Sequence, residues 1–307
     1  MQLPKSPKVF LHRLRRSNHP VHGWQIGADE ADLSSANILI FVSHHEFRPP
    51  DFSAFLFVAL LLTTTYNANH FDRNLQMMKS IKPTIRSLPD QAFATRLLVW
   101  FDQSMTEMPW RGERDPYRIW LSEMMLQQTR ITVAESYYQR FLERFPTVQA
   151  LAKASLDEVL KLWEGLGYYA RARNLHRAAQ LIVREHSGQF PASAECLQTL
   201  TGIGRYTAAA IASIAFGEPV AVLDGNVVRV LSRLTDLPDE ISQPKVKERL
   251  WALAAELLPS KRPGDYNQAL MDLGRMVCTP RRPDCQHCPI QEFCRAAESG
   301  TMEQRPV

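Results

Sequence analysis

Two glycines two positions apart, Gly202 and Gly204, interrupt an otherwise helix-patterned stretch, and no other feature constrains the chain as strongly. They stand in Leu200-Thr-Gly-Ile-Gly-Arg-Tyr-Thr207. Leu200 closes one apolar-periodic segment. From Arg205 to Phe216 the residues are good helix formers, stopped by Gly217 and Pro219. The stretch therefore reads as helix, hairpin, helix, with the glycines supplying unusual φ angles and close backbone approach. The hairpin backbone at Gly202, Ile203 and Gly204 presents bare N–H groups at a helix N-terminus, an anion site that a DNA phosphate fits. Further on, Val220-Ala-Val-Leu-Asp-Gly-Asn-Val-Val-Arg229 places Asp224 at the start of another helix, where the dipole favours negative charge. Taken singly, each piece is equally a tight helical turn or an ordinary N-cap.

From about Ser87 onward the pattern is helical throughout. Ala92–Phe101 is amphipathic, Pro109-Trp110-Arg111 ends that element in a loop, and Asp115-Pro116 is an N-cap with proline at the first helical position. Helices are expected over Tyr117–Thr129, Glu135–Phe145, Arg205–Phe216, Val227–Leu234, Lys245–Leu258 and Asn267–Cys278. No strand alternation of useful length intervenes, so the fold class is all-α. Residues 1–85 differ: they mix basic residues, His, Asn and Pro without periodicity, and read as an unstructured or non-native extension. The apolar run Phe52–Leu62 is about half the length that spans a bilayer, so no membrane role is expected. The abrupt change of character places the biological start at Met77 or Met78. The remainder divides into a catalytic domain at 86–277, a cysteine loop at 278–294 and a tail at 295–307.

Three further features carry chemistry. Glu123 lies in a helix among Ile119, Trp120, Met124, Met125 and Leu126; desolvation there would raise its pKa and suit it to general-acid work. An ordinary solvent-facing glutamate is the other reading the helix alone allows. Glu164-Gly-Leu-Gly-Tyr-Tyr-Ala-Arg-Ala-Arg-Asn174 breaks a helix at two glycines and offers Tyr168, Arg171 and Arg173 to DNA, one ring as a wedge and the guanidinium groups on phosphates. Tyr169 is assigned to the core, as are Met271 and Met276. Cys278-x6-Cys285-x2-Cys288-x5-Cys294 gathers four of the five cysteines. Four thiolates so close in sequence read as one metal centre, zinc or iron–sulfur, rather than a disulfide framework. Cys196 stands apart as a small, buried or partly exposed residue. The net charge of +4 is compatible with nucleic acid.

Together Trp120-Leu-Ser-Glu-Met-Met-Leu-Gln-Gln-Thr129, the Gly-Leu-Gly-Tyr-Tyr stretch, Val222-Leu-Asp-Gly-Asn226 and the cysteine spacing resemble the endonuclease III superfamily of helix-hairpin-helix DNA glycosylases, and within it the adenine DNA glycosylases. The resemblance covers about residues 87–300. It implies two helical subdomains, with the active site in the cleft between them, and a [4Fe–4S] cluster on Cys278, Cys285, Cys288 and Cys294. It implies that Glu123 protonates adenine and activates water. Asp224 stabilises the sugar cation, with Tyr206 hydrogen-bonding Asp224 or the sugar and Asn226 positioning Asp224 or water. Gln128 and Tyr168 enter the duplex; Arg111, Arg171 and the Gly202–Gly204 hairpin contact DNA, with Arg281, Arg282 and Arg295 on the cluster loop.

The implied substrate is double-stranded DNA with adenine opposite 8-oxoguanine or guanine, acted on by a monomer in a bacterial cytoplasm, at the nucleoid. The lyase branch carries a hairpin lysine; here that position is Tyr206, which cannot form an imine. The alternatives are an endonuclease III-like or T:G mismatch glycosylase and an inactive DNA-binding module; retention of both Glu123 and Asp224 argues against the last. The family continues into a second domain that reads 8-oxoguanine. Val307 lies short of it, so adenine excision is expected without a strong preference for 8-oxoguanine.

Overall fold

Helix follows helix from Asp90 in the computed structural model, which describes residues 90–104 and 106–307, and no strand occurs among them. The expectations for the N-terminal extension, the apolar run at 52–62 and the start at Met77 or Met78 lie outside the described residues. The described residues form twelve α-helices. They are α1 Asp90–Ser104, α2 Pro116–Leu126, α3 Ile131–Arg144, α4 Val148–Lys153, α5 Leu156–Trp163 and α6 Ala170–Glu185. After them come α7 Ala194–Leu197, α8 Arg205–Phe216, α9 Gly225–Leu234, α10 Pro244–Glu256, α11 Pro263–Met276 and α12 Arg295–Ser299.

Local chemistry sets most of the boundaries. The Asp115 carboxylate accepts from Tyr117 N at 2.8 Å and starts α2. Ser155 and Glu158 form a reciprocal capping box on α5. Gly217, at φ 71°, ends α8. Where expectation and structure differ, the ends move. Helix α2 stops at Leu126, short of Thr129, because an arginine side chain takes up its last carbonyls. Helix α3 begins at Ile131, and α11 at Pro263 rather than Asn267. The first helix of the hairpin is a single turn, α7.

Packing sorts the helices into two groups. Helix α2 packs on α3, α6 and α8, while α4 and α5 pack on α6, and α7 on α8. Helix α11 packs on α1 and α9, with α10 and α12 also against α9. The two groups meet where α11 crosses α8. At that crossing a Cβ on Gly264 would stand 2.5 Å from Ser213 O, so only glycine admits the approach. One end of α11 is fixed in the same way, since a Cβ on Gly274 would stand 2.7 Å from Asn226 Cβ. The start of α9, which carries Asp224, is thereby held against α11. Buried Asn267 adds a polar clamp: its Nδ2 donates to Val220 O and Ser213 Oγ, each at 2.9 Å, and its Oδ1 accepts from Val222 N at 3.3 Å. The extended segment leading to Asp224 is thus pinned to α8 and α11.

Candidate active site and cluster loop

One large cleft gathers residues from separate parts of the sequence: Glu123 from α2, Gln128 after it, Tyr168 before α6, Tyr206 on α8, Asp224 and Asn226 at the start of α9, and Met271 on α11. Glu123 is 9% exposed, although most of α2 is apolar. Burial pushes its carboxyl up to about 7; the hydrogen bond from Tyr206 pulls the other way and the Asp224 charge adds to the rise. Tyr206 Oη donates to Glu123 Oε2 at 2.7 Å and lies 3.2 Å from Met271 Sδ. Its partner is Glu123, which corrects the expected bond to Asp224. Burial and the two nearby carboxylates raise the phenol well above its usual pKa, so it stays a donor.

Asp224 caps α9, accepting from Val227 N at 2.7 Å and from Asn226 Nδ2 at 2.8 Å. These bonds favour the carboxylate. Burial outweighs them, and the carboxyl sits above its ordinary value. Arg229, to which no role was assigned from sequence, extends the set. Its Nη2 donates to Asn226 Oδ1 at 2.8 Å and Gly274 O at 2.7 Å, and its Nε donates to Cys278 O at 2.7 Å. One turn further, Arg233 donates to Thr279 O at 2.7 Å and to Cys278 Sγ at 3.3 Å. The spacing of four between the two arginines was a visible signal that they share a face of α9.

Two expected arginine contacts to DNA are corrected. Arg171 is not exposed: its side chain is buried beneath the cleft, with its guanidinium on backbone carbonyls of Met124, Met125, Gln127, Leu166 and Gly167. Its Nη donors are taken, and its Nε, which has no partner, is buried, so neither is offered to a phosphate as expected. Arg111 is likewise enclosed, ion-paired with Asp272 and bonded to Gln268, each at 2.5 Å, with both members of the ion pair under a tenth exposed. It ties the loop before α2 to α11 at the wall of the cleft. Tyr169, assigned to the core, is 39% exposed beside Tyr168 at 63%. Met276 is also exposed, and Met271 lines the cleft. Cys196 is exposed.

The hairpin lies beside the cleft, immediately before Tyr206. Gly202 takes φ 79°, and a Cβ there would meet Asn174 Cβ at 2.6 Å. Ile203 is buried and its N–H closes the turn on Leu200 O at 3.1 Å, so that amide is not free for a phosphate. Gly204 caps α8 with no side chain, leaving the first N–H groups of α8 open.

The four clustered cysteines line one small cavity with Arg233, Pro283 and Met302. Among the described residues no three His, Cys, Asp or Glu side chains converge tightly enough to hold a single metal ion. Four cysteine sulfurs around one shared space are the ligand set that a [4Fe–4S] cluster takes. Burial raises the Cys285 and Cys294 thiols and pushes Cys288 up to about 12, a cost that a bound cationic centre would offset.

Residues 121–256 match the family described as HhH-GPD superfamily base excision DNA repair protein, and residues 278–294 match the iron-sulfur binding domain of endonuclease III. The chain therefore carries an HhH-GPD base excision DNA repair domain followed by a [4Fe–4S] cluster loop. Within that superfamily its curated relatives include the adenine DNA glycosylase of Homo sapiens, 48% identical over 222 residues covering 69% of this chain and 41% of the human protein. They also include the adenine DNA glycosylase of Buchnera aphidicola (subspecies Schizaphis graminum), 38% identical over 216 residues covering 70% of this chain and 62% of that protein. The chain thus spans less than two thirds of the length of either. Among solved structures, a thermostable thymine-DNA glycosylase matches with a TM-score of 0.61 and 28% identity, covering 68% of this chain and 97% of that one. No described helix is long and apolar enough to cross a membrane.

Proposed function

We infer that this chain is the catalytic module of a monofunctional adenine DNA glycosylase in base excision repair. The observation that carries the reading is Glu123: a buried carboxyl with a pKa of about 7, hydrogen-bonded to Tyr206 and facing the same cleft as Asp224. The 38–48% identity to adenine DNA glycosylases supports the choice of base.

Adenine must leave the stack before its glycosidic bond can be reached. Gln128 and Tyr168, exposed at the cleft, enter the duplex and help expel it. Glu123 donates its proton to N7, so the C1′–N9 electron pair departs with a neutralised base. Asp224, capped by Val227 N and Asn226, stabilises the oxocarbenium-like sugar. Water then adds to C1′, its proton returning to the Glu123 carboxylate, and the products are free adenine and an abasic site in an intact strand. Two carboxyl groups thereby divide acid and electrostatic work. The open N–H groups at the start of α8 take a phosphate beside the lesion.

Hydrolysis transfers no electron, so what the cluster on Cys278, Cys285, Cys288 and Cys294 supplies is a staple for its loop. That loop presents Arg281, Arg282 and Arg295 toward phosphates. The substrate is a duplex with adenine opposite guanine or 8-oxoguanine, bound by one copy of the chain. The bacterial, DNA-associated setting expected above goes with this reading. Single-turnover excision on an A:8-oxoguanine duplex, with A:G, T:G and oxidised-pyrimidine duplexes beside it, tests the assignment. Release of adenine alone is expected. Release of thymine or an oxidised pyrimidine in its place would move the chain to another branch, and binding without release would make it a DNA-binding module.

A further inference from the structure

Gln128 and Tyr168 share a property that the general fold does not demand. Both are non-glycine residues in left-handed backbone, at φ 56° and 49°, on separate turns that line one cleft. Such a conformation persists in a bulky residue only where the surroundings hold it. One guanidinium holds both. Arg171 Nη1 donates to Gln127 O, the carbonyl just before Gln128. Its Nη2 donates to Gly167 O, just before Tyr168, at 3.3 Å, and to Leu166 O at 3.2 Å. The same Nη2 reaches Thr129 Oγ1, just after Gln128, at 3.3 Å. The Arg171 backbone N–H donates to Tyr168 O at 2.8 Å. The guanidinium carbon lies 5.5 Å from the centre of the Tyr168 ring and 5.4 Å from that of Trp163. A lysine could not span both turns, since it offers a single point charge in place of a planar fork.

We propose that Arg171 is the positioning residue that sets the spacing of the two wedges, so that Gln128 and Tyr168 enter the duplex as one unit. The proposal rests on the reading of those two residues as duplex-entering groups. Without the guanidinium each turn relaxes independently. The step that suffers is extrusion of the base, not bond cleavage at Glu123 and Asp224. An adenine that is already unpaired costs less to extrude and bypasses the defect.

The test is single-turnover excision by the full chain carrying R171K or R171M. Two duplexes are compared, one with adenine opposite guanine and one with the same adenine opposite an abasic site. Loss of positioning should slow the A:G duplex by about 100-fold, the size of effect that a 1 Å misplacement produces, with a far smaller loss opposite the abasic site. Equal losses on both duplexes would make Arg171 a fold residue only, and unchanged rates would remove its role; either overturns the proposal. Should R171M fail to fold, R171K, which keeps the stem and the charge, carries the comparison. A second arm adds R171K to a Q128A/Y168A background, where no further loss on A:G is expected because no wedges remain to be positioned. A full additional loss would refute the coupling. Failure of the underlying reading looks different: Q128A/Y168A alone would then excise from A:G at the parent rate, and the proposal would fall with it.

Discussion

Tyr206 Oη lies 2.7 Å from Glu123 Oε2 and donates its proton to it. The bond favours the charged carboxylate, whereas the apolar walls of α2 favour the neutral acid, and the walls win. Excision that needs protonated Glu123 should therefore fall as pH rises through about 7. Tyr206→Phe removes the donor that stabilises the carboxylate, so the pKa should rise and the descending limb should move to higher pH. The pH profile of single-turnover excision for both proteins measures this. A limb that moves down, or stays in place, would show that the phenol does not act on Glu123.

The same burial has a cost in stability. Between the ordinary carboxyl value of 4.5 and about 7, the folded chain holds a proton on Glu123 that the unfolded chain has released. Stability therefore declines as pH rises across that window, and above it the full cost is present. Glu123→Gln is neutral at every pH and fills the same space. It should abolish excision, keep duplex binding, and melt higher than the parent at pH 8, by an increment on the order of 3 kcal/mol. Near pH 4.5 the two should melt alike. Thermal melts at the two pH values decide it, and a variant less stable at both would mean that the carboxylate is wanted in the fold.

What could be read from the sequence was local. The Asp115 cap, the stop at Gly217 and the cap at Asp224 depend on a few adjoining residues, and each stands where the pattern put it. Glu123 stayed ambiguous because α2 is packed by α3, α6 and α8 and has little solvent face against which to judge one position. Arg171 and Arg111 were misread for the opposite reason. Arginine beside a loop suggests a surface, but the carbonyls that claim Arg171 lie up to 47 residues away, and Asp272 lies 161 residues from Arg111. Tertiary carbonyls and carboxylates leave no trace in the local pattern. Arg229 was missed similarly, since Gly274 and Cys278 come to it only when α11 packs on α9.

The cysteine loop makes a separate prediction. Purified protein should be yellow-brown and contain about four iron atoms per chain, as a cubane on four cysteines requires. Cys285→Ser should lose iron and weaken DNA affinity while the helical content holds, because the four cysteines line a cavity apart from the catalytic cleft. Metal analysis of anaerobically prepared protein checks the assignment, and stoichiometric zinc in its place would refute it. Since Arg229 ties Cys278 O to Asn226, loss of the loop should also lower the excision rate at saturating DNA.

Tyr206 decides whether the strand is cut. In a lyase a hairpin amine attacks the anomeric carbon, and the imine then allows β-elimination. Tyr206 offers a phenol whose pKa is raised well above 10 by burial and by the two carboxylates, so its proton is retained and its oxygen is a poor nucleophile. Water must then complete the reaction, leaving an abasic site in an uncut strand. Borohydride added during turnover should trap almost no covalent complex, and scission should follow only after alkali. Tyr206→Lys would place an amine in the cleft, in the field of Glu123 and Asp224. Burial would lower its pKa, while the carboxylates, to which it could pass its proton, would raise it. We expect this variant to gain a trappable adduct and some nicking. Its excision rate should fall, because the hydrogen bond to Glu123 is lost. Denaturing gels of borohydride-treated reactions read both outcomes. Efficient trapping by the unmodified chain would mean that another amine reaches the sugar, and the monofunctional assignment would then fail.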